Sequence, residues 1–259
     1  MTRTLQASEF TFEYTESRIS DPVLCESHCH AKFELIAVLA GDVSVMREGR
    51  NYRLTEGQAI LIPPLSYHTV TANQKGSYHR ITALLEREAI PAVLLDALLQ
   101  RRADSAVFSS SRLEELRRIC LEKEPAFYLP LAYSLIVQML YRSLRETSND
   151  TATADPFLRE VISYIDAHLE EKISLSSLAK HTSRSSSSLS HLFEEKMHIS
   201  PKQYILQKKL ALANKLIGDG VPPTVAAMRV GYESYSNFYR MYLKHFGKTP
   251  KETSRTGEV

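Results

Sequence analysis

The chain has 259 residues, of which 43% are hydrophobic and 24% charged, a balance that supports a buried core and excludes a disordered or fibrous polymer. No apolar run reaches the ~18 residues that span a bilayer, the opening MTRTLQASEF lacks the apolar stretch of a secretory signal, and three cysteines make a poor disulfide framework, so a cytoplasmic protein is expected. The net charge of +2 is unevenly spread: residues 157–259 hold 15 Lys+Arg against 10 Asp+Glu (+5), and residues 1–156 hold 17 against 20 (−3), which points the C-terminal third toward a polyanion.

Residues 1–85 read as strands. Runs such as ELIAVLAG, DVSVMREG, NYRLTEGQAILIPP and YHTVTA are separated by Gly, Pro and Asn, the spacing of a small β-barrel or sandwich. Within them, CESHCHAKFE at 25–34 packs five candidate metal ligands into ten residues. Side chains alternate faces along a strand. His28, His30 and Glu34 therefore share one face and Cys25 and Cys29 the other, which argues against a Cys/His zinc knot. Residues 88–147 read as helices, with Val93, Leu94, Ala97 and Leu98, then RLEELRRICLEK, then Leu131, Leu135 and Met139 at helical spacing. Those stripes suit an intramolecular core and a dimer interface equally. Cys120 reads as a small buried hydrophobe. RETSNDTATADP reads as a linker at about 146–156.

From 157 on the pattern is helical and it repeats. Shifting residues 183–202 by 49 places Leu189 on Phe238, Phe193 on Tyr242, His191 on Arg240, Ser200 on Thr249 and Pro201 on Pro250, so one unit occurs twice. Each copy reads as helix–turn–helix. Ser174, Ser185 and Thr224 are the expected N-caps, and Gly231 supplies a left-handed turn. PKQYILQKKLALANKLI reads as one helix between the copies. With Leu189, Leu192 and Phe193 inward, the first copy exposes Ser187, Ser190, His191 and Glu194. With Phe238, Met241 and Tyr242 inward, the second exposes Tyr235, Ser236, Tyr239 and Arg240. Such a helix enters a DNA major groove, and arginine is the commonest reader of guanine. Lys202, Lys208, Lys209, Lys244 and Lys251 are the expected phosphate contacts.

LAKHTSRSSSSLSHLFEEKMHISPKQY and AAMRVGYESYSNFYRMYLKHFGKTP resemble the DNA-binding domain of the AraC/XylS family of bacterial transcription regulators. The likeness covers about 157–252 closely. In the first copy His191 stands where arginine is common, Glu194 and Glu195 replace a lysine pair, and His198 replaces a glycine; the second copy is therefore expected to carry more of the affinity. His28–x–His30–x3–Glu34, followed by Gly57, Pro63 and His68, resembles the cupin barrel, whose metal-binding members use those four side chains as ligands. The resemblance implies an α+β protein: a cupin-like effector-binding and dimerisation domain at 1–147, a linker at 146–156 and a double helix–turn–helix domain at 157–255. It implies a small polar effector, a sugar among the candidates, at His28, His30, Glu34 and His68. It also implies a double-stranded operator, RNA polymerase and a second copy of the chain as partners. A divalent transition metal on the same four residues is the cofactor to test, since three histidines and a carboxylate suit Fe, Mn, Ni or Zn. The competing class is a metal-dependent cupin oxygenase or isomerase with a helical appendage, which leaves the duplication unexplained.

Overall fold

The computed structural model describes residues 1–7, 10–20, 28–100, 107–122, 125–145 and 155–255. The chain forms two compact units, one of strands with three α-helices and one of helices together with the short segment His28–Ala31.

In the first unit the strands are β1 (Thr2–Gln6), β2 (Phe10–Ile19), β3 (Phe33–Ala40), β4 (Asp42–Arg47), β5 (Arg50–Thr55), β6 (Gln58–Ile62), β7 (His68–Ala72), β8 (Gly76–Leu85) and β9 (Val107–Ser109). They form a six-stranded sheet, β1-β2-β8-β3-β6-β9, and a three-stranded sheet, β5-β4-β7, with antiparallel pairing. Strand parity sorts the side chains into two cores. Phe33, Leu35 and Ala37 of β3 join Ala59 and Leu61 of β6, Ile81 and Ala83 of β8, and the buried faces of α1 (Ala92–Gln100), α2 (Leu113–Leu121) and α3 (Leu129–Arg145). Ile36 and Val38, one residue out of phase, join Val43, Val45, Leu54, Ile60 and Val70 between the sheets. A strand buried on both faces carries an unbroken apolar run, which is why FELIAVLA does not alternate.

Several expectations change here. β9 lies in the stretch read as helical, where it pairs with β6 through Ile60↔Val107; three residues are too few to show a period. On α1 the buried face is Leu94, Leu95 and Leu98, and Val93 is 87% exposed. On α3 it is Ala132, Leu135, Ile136, Met139 and Leu140, and Leu131 is exposed. Leu94, Leu98, Leu135 and Met139 are buried as their spacing implies, and only Val93 and Leu131 of the residues at helical spacing are exposed. Cys120 is fully buried and burial pushes its thiol up to about 12, so it serves as packing. Cys25 and residues 146–154 of the expected linker lie outside the described residues. The last two linker positions start a helix instead: Asp155 caps α4 (Pro156–Ala167), accepting from Phe157 N and Leu158 N at 2.9 and 3.2 Å.

The second unit continues with α5 (Leu175–His181), α6 (Ser186–Met197), α7 (Pro201–Gly218), α8 (Pro223–Arg229), α9 (Tyr235–Phe246) and α10 (Pro250–Arg255). Both ends of α6 map onto both ends of α9 with the same offset of 49. Ser185 and Ser234 cap them through the N–H groups of Ser188 and Asn237. Leu189, Phe193, Phe238 and Tyr242 are each 0% exposed; Leu192 and Met241 are half-buried. Ser174 caps α5, with Ser177 completing a capping box. Thr224 is not a cap: Pro222 holds that position without a side-chain bond, and Pro223 starts α8, because the fixed proline φ suits the first helical turn.

Candidate nucleic-acid interface and barrel site

The packing of α6 and α9 sets what they show. Burying Leu189 and Phe193 leaves Ser187, His191 and Glu194 exposed and Ser190 half-exposed. Burying Phe238 and Tyr242 leaves Tyr235, Ser236, Tyr239 and Arg240 exposed. Arg240 Nη2 donates to Asn237 Oδ1 at 3.1 Å, whereas His191 Nδ1 lies 4.0 Å from Glu195, too far for a hydrogen bond. Lys202, Lys244 and Lys251 are exposed and available to phosphates.

Lys208 and Lys209 are not, and the expectation for them is corrected. Lys208 is 3% exposed, its Nζ 2.8 Å from Asp166 Oδ1. Lys209 is 8% exposed and its Nζ donates to Val230 O at 2.7 Å and to Glu171 O; burial lowers its pKa. The middle of α7 is enclosed on all sides, with Tyr204, Leu210 and Ala211 each 0% exposed, so a helix that read as a spacer is the axis of the unit's core. Lys209 therefore joins the α4–α5 connection to the α8–α9 turn. Lys172–Glu233 at 2.9 Å and Arg229–Glu170 at 3.3 Å cross the same seam.

In the barrel, Glu34 shares the parity of Ile36 and His68 that of Val70, so both point between the sheets. They are buried, with His68 Nε2 2.8 Å from Glu34 Oε2 and His68 Nδ1 2.9 Å from Ser66 O. A carbonyl only accepts, so Nδ1 carries a proton, and the 2.8 Å contact of Nε2 with Glu34 Oε2 needs a further proton held between the two groups. β3 begins at Phe33, so strand alternation does not govern His28 and His30. The two histidines lie in a short segment, His28–Ala31, that groups with the helical unit, whereas Glu34 and His68 belong to the first. His28 is exposed and His30 half-buried. Cys29 is buried and outside the group. Arg47 was missed: it is 4% exposed, pairs across from His68, and shares the inward parity of Val43 and Val45. That parity was readable in DVSVMR, but Arg47 also reads as the start of a hairpin turn.

A two-sheet unit with a polar group between its sheets, followed by a duplicated helix–turn–helix, is the architecture of a two-domain transcriptional regulator. The sequence matches the AraC-like ligand binding domain over residues 10–160 and a helix-turn-helix domain over residues 178–256. The chain belongs to the AraC family of transcriptional regulators. It is 24% identical over 230 residues to the uncharacterized HTH-type regulator YobQ of Bacillus subtilis, covering 88% of each chain. It is 29% identical over 102 residues to YdiP of Escherichia coli, 39% of this chain and 34% of that one. The Escherichia coli arabinose operon regulatory protein is 30% identical over 126 residues, 47% of this chain and 43% of that one. The chain thus spans about a third of the length of YdiP. No helix among the described residues is long and apolar enough to cross a membrane.

Proposed function

We propose that this protein is a sequence-specific, DNA-binding transcription regulator whose N-terminal unit binds a small polar effector, a sugar among the candidates. One observation carries the reading: α6 and α9, in register at an offset of 49, each bury an apolar stripe and present polar side chains outward, with Phe238 inside and Arg240 outside. Ser187, Ser190, His191, Tyr235, Ser236, Tyr239 and Arg240 face base edges, and Lys202, Lys244 and Lys251 face phosphates. The protein acts in the cytoplasm on an operator duplex, as a dimer and in contact with RNA polymerase. It is a regulator rather than an enzyme. Effector binding acts by preferring one functional state of the regulator over another, since only differential affinity shifts an equilibrium. Genome-wide mapping of bound sites, followed by gel shifts across a salt series, tests this. A discrete set of sites and affinity that falls steeply with salt are expected; uniform coverage overturns it.

The effector site is the group His28, His30, Glu34 and His68. A second reading of the same group, a divalent transition metal, is favoured by the Ser66 carbonyl. It holds His68 Nδ1–H and turns Nε2 toward the other donors, as outer-shell carbonyls do for metal-bound histidine. Three imidazoles and a carboxylate would hold such an ion, which would supply Lewis acidity toward an effector oxygen. Elemental analysis of protein purified without chelator, compared with His30→Ala, separates the readings: stoichiometric metal lost in the variant supports the ion, and no metal in either supports the effector alone. A regulator whose His30→Ala variant responds normally to every effector refutes both. Turnover that appears only with added metal would instead favour the cupin-enzyme reading.

A further inference from the structure

Resting on the DNA-binding reading, we propose that Asn237 is the positioning residue that makes Arg240 a guanine reader and gives α9 a guanine selectivity that α6 lacks. Asn237 and Arg240 are one turn apart on α9, both exposed, and joined by the 3.1 Å bond from Arg240 Nη2 to Asn237 Oδ1. Residues three apart on a helix are neighbours, and here the chain uses that neighbourhood to fix a guanidinium. Nη2 has two N–H groups. One is given to Asn237; the other, with an N–H of Nη1, leaves an end-on fork that matches guanine O6 and N7. The backbone of Asn237 is well fixed. Asn237 is the third residue of α9, its N–H is accepted by the Ser234 cap, and the next residue, Phe238, is 0% exposed in the core. Residues in the first turns of a recognition helix are those that reach base edges.

The other repeat shows what is missing without the pair. Forty-nine residues earlier stand Ser188 and His191, and His191 Nδ1 lies 4.0 Å from Glu195. An imidazole offers no guanidinium-type fork for guanine O6 and N7. The two helices thus differ in selectivity as well as in charge.

The test is selection of bound duplexes from a random-sequence library by the full chain, comparing wild type, Asn237→Leu and Asn237→Asp, with thermal melts as the folding control. Wild type should enrich a motif with an invariant guanine. Asn237→Leu, which keeps the shape and loses the acceptor, should relax that position about 5- to 100-fold and leave the rest of the motif in place. Asn237→Asp keeps an acceptor for Arg240 and should retain the guanine while binding all sequences more weakly. An unchanged motif in Asn237→Leu overturns the inference and spares the regulator reading, as does uniform loss of binding in a variant that melts normally. Failure of wild type to enrich any motif overturns the regulator reading itself.

Discussion

Gly231 offers the sharpest test of how the second unit is held together. It turns the chain between α8 and α9 at φ +79°, and a Cβ there would sit 2.9 Å from Lys209 Nζ and 3.1 Å from Glu171 O. Left-handed backbone costs a residue with a side chain about 1 kcal/mol. The clash adds to that. Lys209 Nζ is the end of a flexible chain, but it is bound between Glu171 O and Val230 O, so moving it sacrifices a charge-assisted hydrogen bond worth about 1.5–3 kcal/mol. Gly231→Ala should therefore lose about 2.5–4 kcal/mol. Gly247, at φ +66° with nothing within 4 Å of its would-be Cβ, isolates the backbone contribution, so Gly247→Ala should lose only about 1 kcal/mol. Urea denaturation of both variants measures the difference. Adding Lys209→Met removes the ammonium the methyl group meets, so Gly231→Ala should cost less in that background, with a coupling above about 0.5 kcal/mol. Equal losses at the two glycines, or no coupling, would refute the role of Lys209 in joining the α4–α5 connection to the α8–α9 turn.

The capping of α6 makes a stabilising prediction: His198 sits in left-handed backbone at φ 54° where the other repeat has Gly247, so His198→Gly should gain about 0.5–1 kcal/mol in urea denaturation. Asp155 caps α4 while Lys196 Nζ, 2.7 Å away, holds its carboxyl below the usual carboxylate range. A depressed folded pKa means the contribution is complete above the unfolded value near ~4 and disappears as pH falls through the lower folded value. Acid titration followed by circular dichroism should show that loss, and Asp155→Ala, which also removes the cap, should destabilise by about 1–2 kcal/mol at neutral pH and flatten the acid limb. Arg240→Ala should abolish operator binding in gel shifts while Ser190→Ala only dents it; an unchanged footprint with Arg240→Ala would contradict the dominance of α9.

Much of the second unit was legible in the residue order because its determinants are local. Ser174 and Ser185 cap from one position before their helices, and Leu189, Phe193, Phe238 and Tyr242 recur at a helical period with one offset. Each of these signals lies within a few residues of its consequence. Lys208 and Lys209 were misread because solvent exposure is not local: Asp166, Glu171 and Val230 come from distant parts of the chain to enclose them. Asn237 was overlooked although its spacing from Arg240 was in plain view, since the bond between them depends on which way two exposed side chains turn.

The first unit divides the same way. Strand-forming runs could be read from order alone, since turn residues are properties of the residues themselves. That FELIAVLA lies between two cores, that Val107–Ser109 closes an edge against β6, and that Arg47 faces inward opposite His68 came only from the tertiary structure. Sheet pairing joins residues dozens of positions apart, and no periodicity within a strand specifies its partner.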